Sequence, residues 1–271
     1  MGSRRVLEGM GALVTGGARN IGFEIAKALA SNGASVAVAD LCDDLKTIPY
    51  KLSSADDLGQ SLKEISVLGS KVLGLTCDVR VESQVKAVMD EVIGSFGQLD
   101  ILINNAGVSS LIPIERLSEE AWNEVVDVCL KGTYLCCKHA ISHMIERRYG
   151  KIVNIASVAG LRGLGYSAHY CAAKHGVVGL TRALAVEVAG HNINVNAICP
   201  GTVDSPILEG LAKQVDLKGD PYEHFSQGHL LQDRRITPRD IARAALWLVI
   251  EESRPVTGTV VTVDAGWTAQ A

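Results

Sequence analysis

The sequence predicts an α/β fold: a single-domain Rossmann fold with a doubly wound parallel sheet of about seven strands and helices on both faces. Three observations predict it. Short β-branched apolar runs alternate along the chain with longer stretches of helical periodicity. The runs are apolar on both faces, as in strands covered above and below by helices rather than wet on one side. A glycine-rich segment, Thr15-Gly16-Gly17-Ala18-Arg19-Asn20-Ile21-Gly22, joins the first run to the first helical stretch, the place where such a fold binds phosphate.

The strands are expected over 12–15, 35–40, 72–77, 101–104, 152–155, 195–198 and 259–263, with helices over 21–32, 55–68, 81–95, 119–147, 168–189 and 238–250. No composition break, internal repeat, low-complexity tract or Pro/Gly linker divides them, so one domain over 1–271 suffices. Segment 205–237 carries Leu208, Leu211, Phe225, Leu230 and Leu231 and reads as a substrate-binding lid with an apolar pocket wall. Gly160, Gly163 and Gly165 are expected to leave space beside Ser157.

At 47% hydrophobic and 21% charged, 271 residues can bury one large core. A net charge of -4 leaves no basic footprint for nucleic acid or an anionic membrane surface. Seven cysteines, an odd set without CxxC spacing, fit free buried thiols in a reducing compartment. No apolar run approaches the ~20 residues of a membrane span, and the opening is not a signal peptide, so the expectation is a cytoplasmic protein. His139 and His143 stand four apart but lack a third ligand, so no metal site is expected. Trp122, Trp247 and Trp267 read as packing residues.

Tyr170 and Lys174 lie four apart on a helical stretch, and so on one face, thirteen residues after Ser157. A free phenol is a poor base at neutral pH, and an adjacent ammonium lowers its pKa, so Tyr170 is the candidate general acid/base, with Ser157 bonding the same substrate oxygen. Asp40 ends the second strand eighteen residues past Gly22. That spacing places an acid on an adenosine ribose. It favours NAD, because a 2'-phosphate about 4 Å away would be repelled by on the order of 4 kcal/mol near a protein surface. Arg19 offers a partial counter-charge, so NADP is less favoured rather than excluded.

TGGARNIG, NNAG at 104–107, Ser157, YCAAK at 170–174 and PG at 200–201 occur in this order, and together they resemble the short-chain dehydrogenase/reductase family over almost the whole chain. The resemblance implies a nicotinamide cofactor held by Gly16, Arg19, Asn20, Ile21, Gly22, Asp40, Asp78, Val79, Asn104, Ala106, Gly107, Tyr170, Lys174, Pro200, Gly201, Val203 and Ser205. It implies catalysis by Ser157, Tyr170 and Lys174 on a small, hydrophobic secondary alcohol or ketone, in a homotetramer paired through the two long helices. Three departures stand out. Asn20 replaces the second glycine of the turn, tolerable because Asn enters left-handed backbone readily. Ser205 replaces the Thr that ends PGxxxT. Cys129 replaces the Asn of a VNLKG-like stretch that holds a relay water in the family, and a thiol is a weaker hydrogen-bonding group. The long polar stretch at 41–60 further resembles the carveol-dehydrogenase-like, mycofactocin-coupled branch, where a loop covers the NAD adenosine half and electrons pass to a redox peptide. The alternative on the same fold is an NAD-binding regulator without efficient turnover.

Overall fold

A computed structural model describes residues 5–231, 233 and 235–270. Within the expected lid, Gln232 and Arg234 lie outside the described residues, as do residues 1–4 and 271 of the expected domain. The elements run β1 (Gly11–Thr15), α1 (Asn20–Ser31), β2 (Ser35–Asp40), α2 (Ala55–Ser66), β3 (Val72–Thr76), α3 (Glu82–Phe96) and β4 (Ile101–Asn104). They continue with α4 (Glu119–Val126), α5 (Gly132–Arg147), β5 (Gly150–Ile155), α6 (Ala168–Val188), β6 (Ile193–Pro200), α7 (Ile207–Gln214), α8 (Pro221–Phe225), α9 (Pro238–Val249) and β7 (Val260–Val263).

The strands form one parallel seven-stranded sheet in the order β3-β2-β1-β4-β5-β6-β7. Its order reverses at β1, which pairs with both β2 and β4, and ligand clefts open beyond the carboxyl ends at such a switch point. The two-residue period of the strands distributes the core. Leu13, Ala37, Leu102, Ile152 and Val195 pack against α3 and α5 residues such as Met89, Cys136 and Met144. Their neighbours Ala12, Val14, Val36, Val38, Ile101 and Ile103 pack on the other side with Ile25, Leu29, Ile241 and Leu248 of α1 and α9. Each Val, Leu, Ile or Met among them contributes about 1.5–3 kcal/mol on leaving water.

Four segments differ from expectation. The stretch 119–147 is interrupted by a π-helical turn at Asp127–Lys131, which inserts an extra residue and directs Val128 and Cys129 inward. Strand β6 is longer than its apolar run because buried Asn194 and Asn196 donate to the carbonyls of Arg254 and Val256, so polar residues occupy strand positions at no hydrogen-bonding loss. The lid segment holds two helices, α7 and α8. The polar stretch expected over 41–60 ends at 54, where Ser54 and Asp57 form a capping box that starts α2.

All seven cysteines are unpaired in disulfides, and five are buried. Burial pushes the thiols of Cys77 and Cys199 up to about 11 and that of Cys137 to about 12. They therefore stay protonated and pack as small apolar groups. Among the described residues no helix is long and apolar enough to cross a membrane, and no cluster of His, Cys, Asp and Glu could hold a metal ion. His139 meets Glu82, and His143 accepts the Leu99 N–H, so the two histidines serve separate contacts.

Candidate active site

A cleft of about 750 Å³ opens beyond the carboxyl ends of β1, β2, β4, β5 and β6. At one end stand Asp40 and Asp78, in the middle the turn after β1, and at the other Ser157, Tyr170 and Lys174, with Pro200, Gly201, Val203 and Ser205 along a side.

The turn is shaped by backbone that few residues adopt. Asn20 has φ 52°, the left-handed conformation its amide tolerates, and Gly16 has φ 60°. A Cβ on Gly22 would lie 2.2 Å from the Gly16 carbonyl oxygen, so only glycine lets α1 start this close to the turn. The first turn of α1 has no side-chain cap and no acidic residue, unlike α2. Its N–H groups are left to the cleft as a site for an anionic group.

Asp40 is buried, at 7% exposure. Its carboxylate accepts from the Ala18 N–H at 3.0 Å and from the Ser53 hydroxyl at 2.6 Å. Arg19 is partly exposed at the edge of the cleft, where it donates to the Lys51 carbonyl and so ties down the loop after β2. Asp78 is paired with Arg80 at 2.7 Å. Asn104, expected to line the cleft, is instead buried below it, where it donates to Asn154 at 2.8 Å, and Asn154 in turn donates to Thr181 of α6 at 2.9 Å. This chain of bonds ties β4 and β5 to the helix that carries Tyr170. The next residue, Asn105, lines the cleft and donates to the carbonyls of Thr15 and Gly16, holding the turn. The doubled Asn of NNAG gave no means of telling the two roles apart.

Lys174 is 3% exposed, which removes the possibility of a chance surface pair. Its ammonium donates to the Ile155 carbonyl at 2.8 Å and lies 5.5 Å from the centre of the Tyr170 ring. Ser157 accepts from the Ala159 N–H at 3.1 Å and hydrogen-bonds the Tyr170 phenol. The expectation that the cation lowers the phenol pKa is overturned for the protein by itself. Burial pushes Tyr170 well above the ordinary tyrosine range, neighbouring Cys129 adds to this, and the Ser157 bond only partly opposes it. The cause is the low-dielectric wall around the ring, which sequence spacing does not reveal.

Cys129 is fully buried on the π-helical turn, and its thiol donates to the Val108 carbonyl at 3.3 Å while accepting the Val108 N–H at 3.4 Å. An amide could make the same two-point clamp with stronger groups, so the thiol keeps the clamp in weakened form.

Leu208, Leu211 and Phe225 line the cleft as expected, but Leu230 and Leu231 are exposed and do not. Gly165 borders the cleft. Gly160 instead admits the backbone of Lys174, whose carbonyl oxygen lies 2.7 Å from where a Cβ would be. Trp122 and Trp247 are partly exposed, whereas Trp267 borders the cleft under Arg162. Tyr50 and Ser109, which the sequence did not single out, also line it.

A family model described as enoyl-(acyl carrier protein) reductase matches residues 16–268. The chain belongs to the short-chain dehydrogenase/reductase family. Within it, the chain is 37% identical over 272 residues to the (-)-trans-carveol dehydrogenase of Rhodococcus erythropolis, covering 97% of this chain and 98% of that protein. It is 36% identical over 259 residues to the cis-4-hydroxycyclohexanecarboxylate dehydrogenase of Sinomonas cyclohexanicum, covering 95% and 96%. The crystal structure of carveol dehydrogenase from Mycobacterium avium in complex with NAD superposes with a TM-score of 0.93 at 31% identity, covering 99% of this chain and 100% of that one. This short-chain dehydrogenase/reductase is accordingly an oxidoreductase by family.

Proposed function

We propose that the protein is an NAD-dependent dehydrogenase/reductase of small hydrophobic secondary alcohols and ketones. The observation that carries this reading is the convergence of Ser157, Tyr170 and Lys174 at one end of a cleft whose other end is walled by Asp40 and Asp78. The residues fit a dinucleotide: the uncapped start of α1 suits the pyrophosphate, and the Asp40 carboxylate suits unsubstituted ribose hydroxyls. Arg19 lines the same cleft but is tied by one hydrogen bond to the Lys51 carbonyl, and the buried Asp40 carboxylate, which would repel a 2'-phosphate, favours NAD over NADP. The NAD-bound relative supports the same choice. The lining of Leu111, Leu208, Leu211 and Phe225 suits an apolar substrate, and relatives that act on carveol and on a hydroxycyclohexane ring support a cyclic one.

When bound, the nicotinamide supplies the hydride-accepting or hydride-donating carbon. Tyr170 holds the proton: as phenol it protonates the oxygen of a ketone undergoing reduction, and as phenolate it takes the hydroxyl proton of an alcohol undergoing oxidation. Ser157 bonds the same oxygen, and Lys174, 5.5 Å from the ring centre, is a cation that favours the phenolate by charge without outweighing the burial that opposes it. Since burial raises the phenol pKa, the phenolate fraction at neutral pH is small and grows as pH rises. Oxidation is therefore expected to accelerate with pH, while reduction, which needs the phenol, is not.

Cys129→Asn tests the clamp. An amide beside Tyr170 stabilises the phenolate better than a thiol, so the rising limb of the oxidation profile should move to lower pH by roughly half to one unit. Superimposable wild-type and variant profiles would remove Cys129 from any influence on the proton.

Leu41, Leu45, Leu52 and Ser53 of the loop over 41–54 line the cleft beside Asp40, which supports slow NAD exchange; electron transfer onward to a redox peptide rests on the resemblance of this loop to the mycofactocin-coupled branch. A panel of secondary alcohols and ketones, run with added NAD and separately with an artificial electron acceptor, tests reaction class and exchange together. Turnover with either acceptor is the expected result, and inertness toward the whole panel under both conditions counts for the NAD-binding regulator instead. Exposed Tyr134 and Val186, on α5 and α6, support pairing of copies through these helices toward a homotetramer.

A further inference from the structure

The loop after β2 borders more than the nucleotide half of the cleft. Tyr50 extends from it to the catalytic end, where its phenol oxygen accepts the Ser109 N–H at 3.0 Å. Its side chain lies on Gly210 of α7, so closely that a Cβ there would sit 2.4 Å from the Tyr50 Cβ. The phenol is near enough to Tyr170 for the charge on one to bear on the other.

Segment 108–112 receives a contact at every residue. Val108 is held by Cys129, Ser109 by Tyr50, Ser110 by His169 at 2.8 Å, Leu111 by Gln214 at 2.7 Å, and Ile112 by the Tyr166 carbonyl at 2.8 Å. Of these five holders, four come from elements around Tyr170 and the lid, and only Tyr50 comes from the β2 side. The loop itself is pinned by Ser53 on Asp40, Lys51 on Arg19 and Tyr50 on Ser109. The first two contacts bear on the nucleotide half and the third on the substrate half.

We propose, on the reading of the site given above, that Tyr50 is a specificity-determining residue. Its ring forms part of the wall of the substrate pocket, so that the pocket has its working size only while the 41–54 loop is closed over the cleft. Burial keeps this phenol neutral, so what it offers the substrate is bulk and an apolar face rather than charge. The same contact makes nucleotide-side closure and substrate selection parts of one event.

The test compares Tyr50→Ala, Tyr50→Leu and Tyr50→Phe with wild type on a small and a bulky cyclic alcohol, cyclohexanol and menthol. Thermal unfolding checks folding, and fluorescence titration follows NADH binding. In Tyr50→Ala, kcat/KM for cyclohexanol should fall about 10-fold, mainly through KM, and the menthol-to-cyclohexanol ratio should rise by about 10-fold or more. Tyr50→Leu should shift the ratio the same way by less, and serves if the alanine variant does not fold. Tyr50→Phe, which keeps the ring, should restore the ratio to within about twofold. A merely structural loop contact would depress both alcohols in proportion, and an unchanged ratio in a folded variant overturns the proposal while leaving the dehydrogenase reading intact. A wild-type protein that turns over no secondary alcohol or ketone fails that reading, and this one with it.

Discussion

Tyr170→Phe will lose turnover by roughly 10³-fold or more in both directions, because a positioned general acid/base contributes about 10²–10⁴-fold and the transferred proton is assigned to Tyr170. The loss should appear in kcat, with NADH affinity within about twofold of wild type, since a ring of the same shape remains in the wall and only one oxygen is removed. Folding should be unaffected or slightly improved, because the deleted hydroxyl is a buried polar group that, among the described residues, bonds Ser157. Steady-state kinetics with the fastest alcohol of the panel and nucleotide titration measure the two quantities. Normal turnover by the Phe variant would end the assignment of Tyr170 and with it the proton chemistry described above.

Asp40→Ala will act at the opposite end of the cleft and leave a different kinetic signature. Hydrogen bonds to a charged acceptor contribute about 1.5–3 kcal/mol, so KM for NAD should rise roughly 10- to 100-fold while kcat at saturating NAD stays within a few-fold. Removing the negative charge also removes the repulsion of a 2'-phosphate, and the preference for NAD over NADP should narrow by roughly 10²-fold. The alanine leaves the Ala18 N–H and the Ser53 hydroxyl without their acceptor, at a cost of about 1–3 kcal/mol in stability. Asp40→Asn retains an acceptor oxygen and separates the two effects: it should narrow the cofactor preference with a smaller drop in Tm. An unaltered KM for NAD in both variants would show that Asp40 serves the loop and not the ribose.

Much of this site was legible because its parts are local. The left-handed turn at Asn20, the crowding that admits only glycine at Gly22 and the acid closing β2 all arise within one β-α-β unit, where residue type and spacing nearly determine backbone geometry. The strands showed themselves as apolar runs because both faces of the sheet are buried. Legibility failed where a residue's environment is supplied from far along the chain. Asn104 and Asn105 are adjacent and chemically identical, and only their depth separates a buried bond to Asn154 from a bond to the glycine turn. The π-helical turn under Cys129 has no periodic signature, since a single inserted residue barely disturbs a helical pattern. Tyr50 sits in a polar stretch, and its partner Ser109 lies 59 residues away.

By itself the sequence determined the class of fold, the order of its strands and helices along the chain, and which side chains are the candidates for the redox chemistry, because alternation, glycine placement and the four-residue helical interval are properties of short segments. The tertiary structure alone decided how those side chains behave. It buried Tyr170 deeply enough to raise its pKa with Lys174 nearby, tied Arg19 to the Lys51 carbonyl, and brought Tyr50 to the Ser109 N–H. Dielectric environment and long-range hydrogen bonding depend on which segments meet in space, and that is settled only when the sheet is assembled and the loops close over it.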